Sequence, residues 1–271
     1  MDIRMRQYKT EHYMKQNKIE QIRAYWNARP CNLHHSDAPV GTRKYFDAVE
    51  AKRYRVEPHN YAFANFSKWK GAKVLEIGCG IGTDAVNFAR AGALYTGIEL
   101  SETSLDIAKK RFEVYGQSGR FIHGNSEHLT DLLEGEQFDL IYSYGVIHHS
   151  ANPQVIIDQL ASHLAPGGEI RVMLYAKHSW KNALIEGGLA QPEAQGGCPQ
   201  AVTYSTSDVH NAFADFALDI QQTFIFPWQI EPYKKGEFIL EPYFESMSDH
   251  MFTSLEKVLG WNLLIKGKPI R

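Results

Sequence analysis

The stretch "KVLEIGCGIGTDAVNFARAGALYTGIEL", residues 73 to 100, constrains the fold of this chain more than any other. An apolar run ends on glycines at alternate positions, Gly78, Gly80 and Gly82. A helical stretch over 83–91 follows, and a second β-rich run, "LYTGIEL", delivers the acid Glu99. A glycine turn between a strand and a helix lets bare backbone approach a ligand at the carboxyl edge of a parallel sheet. A carboxylate about twenty residues on, at the end of the next strand, is placed to accept both hydroxyls of a ribose. The spacing is G-x-G-x-G, whereas a dinucleotide fingerprint needs G-x-G-x-x-G with the pyrophosphate on the helix N-terminus. Glu76, two residues before the first glycine, would repel a pyrophosphate and suits a ligand carrying an ammonium or sulfonium group. The pattern favours an adenosine with a cationic tail over a dinucleotide.

The alternation continues downstream. "RFIHGN", "FDLIYSYGVI" and "EIRVMLYA" read as strands, with helical stretches over 103–115 and 153–164 between them. Strands that are apolar on both faces and alternate with helices imply a parallel sheet with crossovers. The expected fold is α/β, a doubly wound, seven-stranded, mostly parallel sheet with helices on both faces. "LDIQQTFIF" and "GWNLLIKGKPI" supply its two last strands, and Gly167 and Gly168 in "APGGE" make the turn into the fifth. Upstream, apolar and aromatic residues recur at helical spacing: Ile19, Ile22, Tyr25 and Trp26, then Tyr45, Phe46 and Val49, then Tyr61, Phe63 and Phe66. Pro30, Pro39 and Gly41 break the first of these helices from the second. The organisation predicted is an N-terminal helical cap over 1–70 on a core over 71–271, with insertions near 178–206 and 228–246. The Gly/Pro/Gln-rich part at 187–199 is expected to act as a lid, and Ser207 to cap the helix in "SDVHNAFADF".

Composition excludes several classes of partner. Twenty-nine basic residues balance 31 acidic ones, for a formal charge of −2 with no long run of either sign, so no footprint for a nucleic-acid backbone is visible. The polar N-terminus is unlike a signal peptide, and no apolar stretch approaches the roughly twenty residues that span a bilayer. Three scattered cysteines, Cys31, Cys79 and Cys198, argue against a disulfide framework and a thiolate zinc site and suit a reducing cytoplasm. A small-molecule substrate is expected, with no nucleic acid and no membrane. A homodimer stays open, because the aromatic insertions can bury themselves on a twin subunit as easily as over the site.

"VLEIGCGIGTDA" with Glu99 resembles the nucleotide-binding half of class I S-adenosylmethionine-dependent methyltransferases, a Rossmann-like family. "GNSEHL", "FDLIYSYGVIHH" and "LAPGGEIRVMLY" are similar to its third-, fourth- and fifth-strand segments, so the resemblance spans roughly 70 to 176. The resemblance implies that S-adenosyl-L-methionine is the cofactor and S-adenosyl-L-homocysteine the product. It implies that Gly78, Gly80 and Gly82 make room for the methionine portion, with Glu76 near its polar end. Glu99 would hold the ribose and Leu100 pack on the adenine. Asn125, where many relatives carry Asp, would accept from the adenine amino group with Ser126 beside it, and Tyr144 and Gly145 would border the transfer channel.

Methyl transfer from a sulfonium is an in-line substitution in which the protein aligns the nucleophile, excludes water and, for a hydroxyl or a protonated amine, removes a proton. Histidine suits that last task. "GVIHHS" puts His148 and His149 just past the fourth strand, and His148 is the first candidate base. Tyr25 or Trp26 of the N-terminal helix can close the pocket, and Tyr175 or His178 can orient the acceptor. Arg29 or Arg43 can bind a substrate carboxylate. "CNLHHS" supplies a second pair, His34 and His35, but adjacent side chains of an extended chain face opposite ways, and no metal is assigned. Phe226, Trp228 and Tyr233 either line an acceptor pocket or brace the last helix.

The function expected is transfer of a methyl group from S-adenosylmethionine to a small-molecule oxygen, nitrogen or activated carbon, in specialised metabolism. A peptide or other macromolecular acceptor, a non-catalytic S-adenosylmethionine-binding module and a dinucleotide oxidoreductase are the alternatives. The glycine spacing and the lack of a second nucleotide half count against the last.

Overall fold

A computed structural model describes residues 3–189 and 196–270, with side chains from Gln16 onward. In chain order, α1 (Ile3–Ala28), α2 (Arg43–Val56) and α3 (Pro58–Ala64) precede β1 (Lys73–Ile77), α4 (Thr83–Arg90), β2 (Leu94–Glu99), α5 (Glu102–Tyr115) and β3 (Arg120–His123). Next come α6 (Leu129–Leu133), β4 (Phe138–Tyr144), α7 (Pro153–Leu160), β5 (Leu164–Ala176), α8 (Trp180–Glu186), β6 (Thr203–Tyr204) and α9 (Thr206–Ala212). The chain closes with β7 (Phe216–Thr223), α10 (Ile230–Lys234), α11 (Pro242–Glu245), α12 (Asp249–Leu259) and β8 (Asn262–Pro269).

The strands form one sheet in the order β3-β2-β1-β4-β5-β8-β7, with the two-residue β6 added beside the end of β5. The first five are parallel, and β8 runs antiparallel between β5 and β7. The chain winds outward from β1 through β2 to β3, then returns to lay β4 on the other side of β1. That reversal opens a crevice at the carboxyl ends of β1 and β4, the place where open α/β sheets bind ligands.

Burial follows from the sequence pattern. Leu75 and Ile77 of β1 pack into one core with Ile141, Ile157 and Leu160, while Val74 joins Phe88, Leu105, Phe112 and Tyr142 on the opposite face. Both faces of the strand are therefore covered, as its unbroken apolar run requires. In α2, Tyr45, Phe46 and Val49 are buried together, and Thr42 caps the helix by accepting from the Tyr45 N–H. Pro58 at the first turn of α3 breaks it from α2 at Glu57.

Two local expectations are corrected. Ser205, not Ser207, caps α9: its side chain accepts from the Asp208 N–H while Asp208 accepts back from the Ser205 N–H, a reciprocal pair that Ser207 has no acid to complete. The strand expected over "LDIQQTFIF" ends at Thr223, because Phe224 turns to φ 75° and its carbonyl accepts from the Trp261 N–H instead. The expected lid at 187–199 falls partly on residues 190–195, outside the described residues. No helix among the described residues is long and apolar enough to cross a membrane.

Candidate functional site

The three glycines of the turn after β1 have different reasons to be glycine. A Cβ on Gly78 would lie 2.3 Å from Val146 Cγ1, and one on Gly82 would lie 3.0 Å from Ala108 Cβ, so both are close-packing positions. A Cβ on Gly80 (φ 52°) would meet nothing within 4 Å: this backbone borders open space. Beside it, Glu99 Oε2 accepts from the Gly80 N–H at 2.8 Å and Oε1 from the Ser101 N–H at 2.8 Å. Burial lifts the Glu99 pKa above the usual carboxylate value, against the pull of those two backbone donors. Each carboxylate oxygen keeps a further lone pair, enough for a vicinal diol. An open glycine backbone with a fixed, buried carboxylate at its edge fits the adenosine moiety that the sequence pattern calls for.

The C-terminal end of α1 lies across this edge. The Ser101 hydroxyl donates to Asn27 Oδ1 at 2.9 Å, and Trp26 packs edge-on to His149 with centroids 5.2 Å apart. Those contacts join the end of β2 to the turn after β4. Tyr25 Oη and Arg29 both donate to the Gly196 carbonyl, at 2.9 and 3.1 Å, and the Val202 N–H donates to the His148 carbonyl at 3.0 Å. Leu100, Asn125 and Ser126 are half-buried nearby in sequence to Glu99 and the end of β3. The Asn125 side-chain oxygen already accepts from the Glu127 N–H at 3.1 Å, and the Leu100 carbonyl accepts from His123 Nε2 at 3.1 Å.

Glu76 is sealed beneath the turn. Tyr95 Oη donates to it at 2.6 Å, and burial, then the neighbouring Asp84 carboxylate, push its pKa well up. Asp84 itself accepts from Tyr54 (2.9 Å), Tyr142 (2.9 Å) and Asn60 (3.1 Å), so α2, α3 and β4 meet on one carboxylate. Two carboxyl groups thus sit under the glycines, one of them pushed towards its neutral form.

Of the predicted catalytic residues, His148 and Tyr175 come together and adjoin His149, Trp26 and Tyr25 through a run of ring contacts, while His178 stands apart. His148 is wholly buried, its ring 3.9 Å from that of Tyr175, and neither ring nitrogen has a hydrogen-bond partner among the described residues. Burial, then His149 and Lys181, hold its pKa well below the usual histidine value. Tyr175 is stacked in turn on Trp261 at 4.3 Å. His178 is exposed, and its backbone carbonyl accepts from Gln222 of β7. Arg43 lies over the Tyr115 ring rather than in the crevice. Phe226, Trp228 and Tyr233 pack on one another and, through Trp228 and Tyr233, on Phe238.

A polar cluster that the sequence did not suggest sits at the carboxyl end of β4. Tyr144 Oη is 2.8 Å from His59 Nε2 and 3.5 Å from Glu57 Oε1, and Asn262 Nδ2 donates to Tyr144 Oη at 3.2 Å and approaches His59 Nε2 at 3.0 Å. Arg53 is ion-paired with Glu57, and its guanidinium lies 4.8 Å over the Tyr144 ring. Burial pulls the His59 pKa down to about 4, and burial, then Glu57, lift that of Tyr144 well above its ordinary value. A bare imidazole facing a phenol is a proton relay in form. The members come from the α2–α3 break, the end of β4 and the start of β8; of them the sequence pointed only to Tyr144, as a border of the transfer channel.

Residues 75–170 match the methyltransferase domain family. That stretch, with the sheet order and the turn that carries the carboxylate, is similar to a Rossmann-like methyltransferase domain. Among curated proteins, the chain is similar to the ubiquinone biosynthesis O-methyltransferase of Coxiella burnetii (strain Dugway 5J108-111), 33% identical over 101 residues, 37% of this chain and 42% of that protein. It is likewise similar to the protein of the same name from Dinoroseobacter shibae, 35% identical over 100 residues, 37% of this chain and 40% of that one. The chain thus spans about two fifths of the length of these relatives. Its fold is shared with magnesium protoporphyrin IX methyltransferase (ChlM) from Synechocystis PCC 6803 with bound SAH, at TM-score 0.58 and 18% identity over 93% of this chain and 99% of that one. The YcgJ protein of Bacillus subtilis aligns at TM-score 0.57 and 18% identity, over 79% of this chain and all of its own.

Proposed function

We propose that this protein methylates a hydroxyl of a small molecule, with the cofactor held at the Gly80–Glu99 edge and the acceptor presented to Tyr144 and His59. The observation that carries the proposal is the pairing, on one sheet edge, of an open glycine backbone fixed to Glu99 with a half-buried phenol–imidazole pair at the end of β4. When bound, S-adenosylmethionine supplies an electrophilic methyl on a sulfonium. Glu99 would accept from the ribose hydroxyls, Gly80 would let the ligand reach the backbone, and the acids Glu76 and Asp84 beneath would favour a cationic tail. Trp26 and the C-terminal end of α1 would exclude water from above.

The relay sets the acceptor chemistry. A nucleophilic hydroxyl loses its proton to Tyr144 Oη as Tyr144 passes its own to His59 Nε2; Asn262 and Glu57 hold the phenol in place. His59, neutral at physiological pH, presents an unprotonated ring to Tyr144, whereas His148 has no polar path to the crevice among the described residues. The matched relatives are named for O-methylation in ubiquinone biosynthesis, which supports an oxygen nucleophile, and the cover formed by α1 favours a small one.

The test is release of S-adenosylhomocysteine on incubation with a panel of phenols and catechols. Tyr144→Phe and His59→Gln should each lower kcat by about a hundredfold or more while leaving S-adenosylhomocysteine affinity within about twofold. Full turnover in both variants would remove the relay from the reaction.

A further inference from the structure

A cleft of about 390 Å³ opens between α2, the loop at 34–37 and the turn after α10. Lys52 and Arg55 enter it from α2, three residues apart and so on one helix face, and Lys234 and Lys235 enter from the end of α10. The one carboxylate on its walls is Asp37. Lys234 is paired with Glu231 at 2.6 Å, but Lys52, Arg55 and Lys235 make no ion pair among the described residues. In a chain whose formal charge is −2, this is a local reversal of sign.

Two of these cations are held by rings rather than by acids. The Arg55 guanidinium lies 3.7 Å over the Phe238 ring, and the Lys52 ammonium 4.7 Å over Tyr233. A guanidinium stacked on a ring still presents its N–H donors in its own plane, in the fork that matches a carboxylate or phosphate. His35 also lines the cleft, with Nδ1 buried and without a hydrogen-bond partner. Burial, followed by Lys52 and Arg53, holds the His35 pKa down to about 3, a second sign that the local potential is positive. An aromatic floor orients the cations, a single acid opposes them, and the space above is large enough for a small molecule.

We propose that this cleft is a binding site for a multivalent oxyanion, a phosphate- or carboxylate-bearing small molecule that bridges α2 to the turn after α10. Arg55 would grip it bidentately, with Lys52 and Lys235 closing from either side. The site lies apart from the Gly80–Glu99 edge and does not depend on the methyl-transfer reading.

The test is calorimetric titration at fixed ionic strength with pyrophosphate and, separately, with citrate. The expected result is saturable, one-to-one binding of at least one of them, weakened about tenfold or more in Arg55→Gln/Lys235→Gln, whose melting temperature without ligand is unchanged. Preference for pyrophosphate assigns a phosphate-bearing ligand and preference for citrate a carboxylate one. If the double variant melts lower, Lys52→Gln alone must weaken binding in the same direction. No saturable binding of either anion, or equal binding by wild type and variants, overturns the proposal. S-adenosylhomocysteine titrated in parallel keeps the two readings apart: its failure to bind would count against methyl transfer and leave the anion site standing.

Discussion

Gly78 and Gly80 look alike in sequence and are constrained by opposite things. Gly78 has a neighbour where its side chain would be, Val146 at 2.3 Å, and Gly80 has none within 4 Å. Gly78→Ala should therefore cost about 3 kcal/mol of folding free energy, from overpacking and a left-handed backbone, measured by urea denaturation. Gly80→Ala should cost only about 1 kcal/mol, from backbone strain alone, yet weaken S-adenosylhomocysteine binding more than tenfold if the open backbone is where ligand docks. Equal effects of the two on stability would contradict the assignment. His59 offers a second residue-scale test. Its folded pKa of about 4 lies below the ordinary 6.5, so between those values the unfolded chain binds the extra proton. The contribution of this group is thus present above pH 6.5 and lost as pH falls towards 4. His59→Gln should flatten the fall in stability across that window, and an unchanged slope would show that the imidazole is not held neutral in the fold.

At the scale of elements, the sequence announced what is locally encoded. "KVLEI" and "FDLIYSY" are apolar on both faces because both faces are covered, and the spacing of Tyr45, Phe46 and Val49 marked the buried side of α2. Legibility failed where a tertiary partner decided the outcome. The start of α9 carries several hydroxyls, and only the reciprocal pair with Asp208 selects Ser205. Ser205→Ala should cost about 1 kcal/mol and Ser207→Ala less than about 0.5 kcal/mol in thermal or urea unfolding, and the reverse order would overturn the cap assignment. The two-residue β6 owes its existence to the end of β5, which runs past its last pairing with β4, and has no signal of its own.

Over the whole molecule, the geometry of the proposed cofactor edge was readable because it is built from one contiguous stretch, strand, turn, helix and strand, whose glycines and acid lie within about twenty residues. Of the proposed relay only Tyr144 was readable, because Glu57, His59 and Asn262 join it only when β8 inserts beside β5 and α3 folds over β4. The basic cleft was hidden for a related reason: a balanced count of charges says nothing about Lys52, Arg55 and Lys235 gathering from two distant segments. The central claim is that the Gly80–Glu99 edge binds adenosine bearing a sulfonium or its product. It is tested most directly by calorimetric titration of the protein and of Glu99→Ala with S-adenosylhomocysteine and with NAD. The account predicts saturable binding of S-adenosylhomocysteine that falls at least about tenfold in the variant, and no binding of NAD. Tight NAD binding, or S-adenosylhomocysteine affinity that survives the loss of the Glu99 carboxylate, would contradict it.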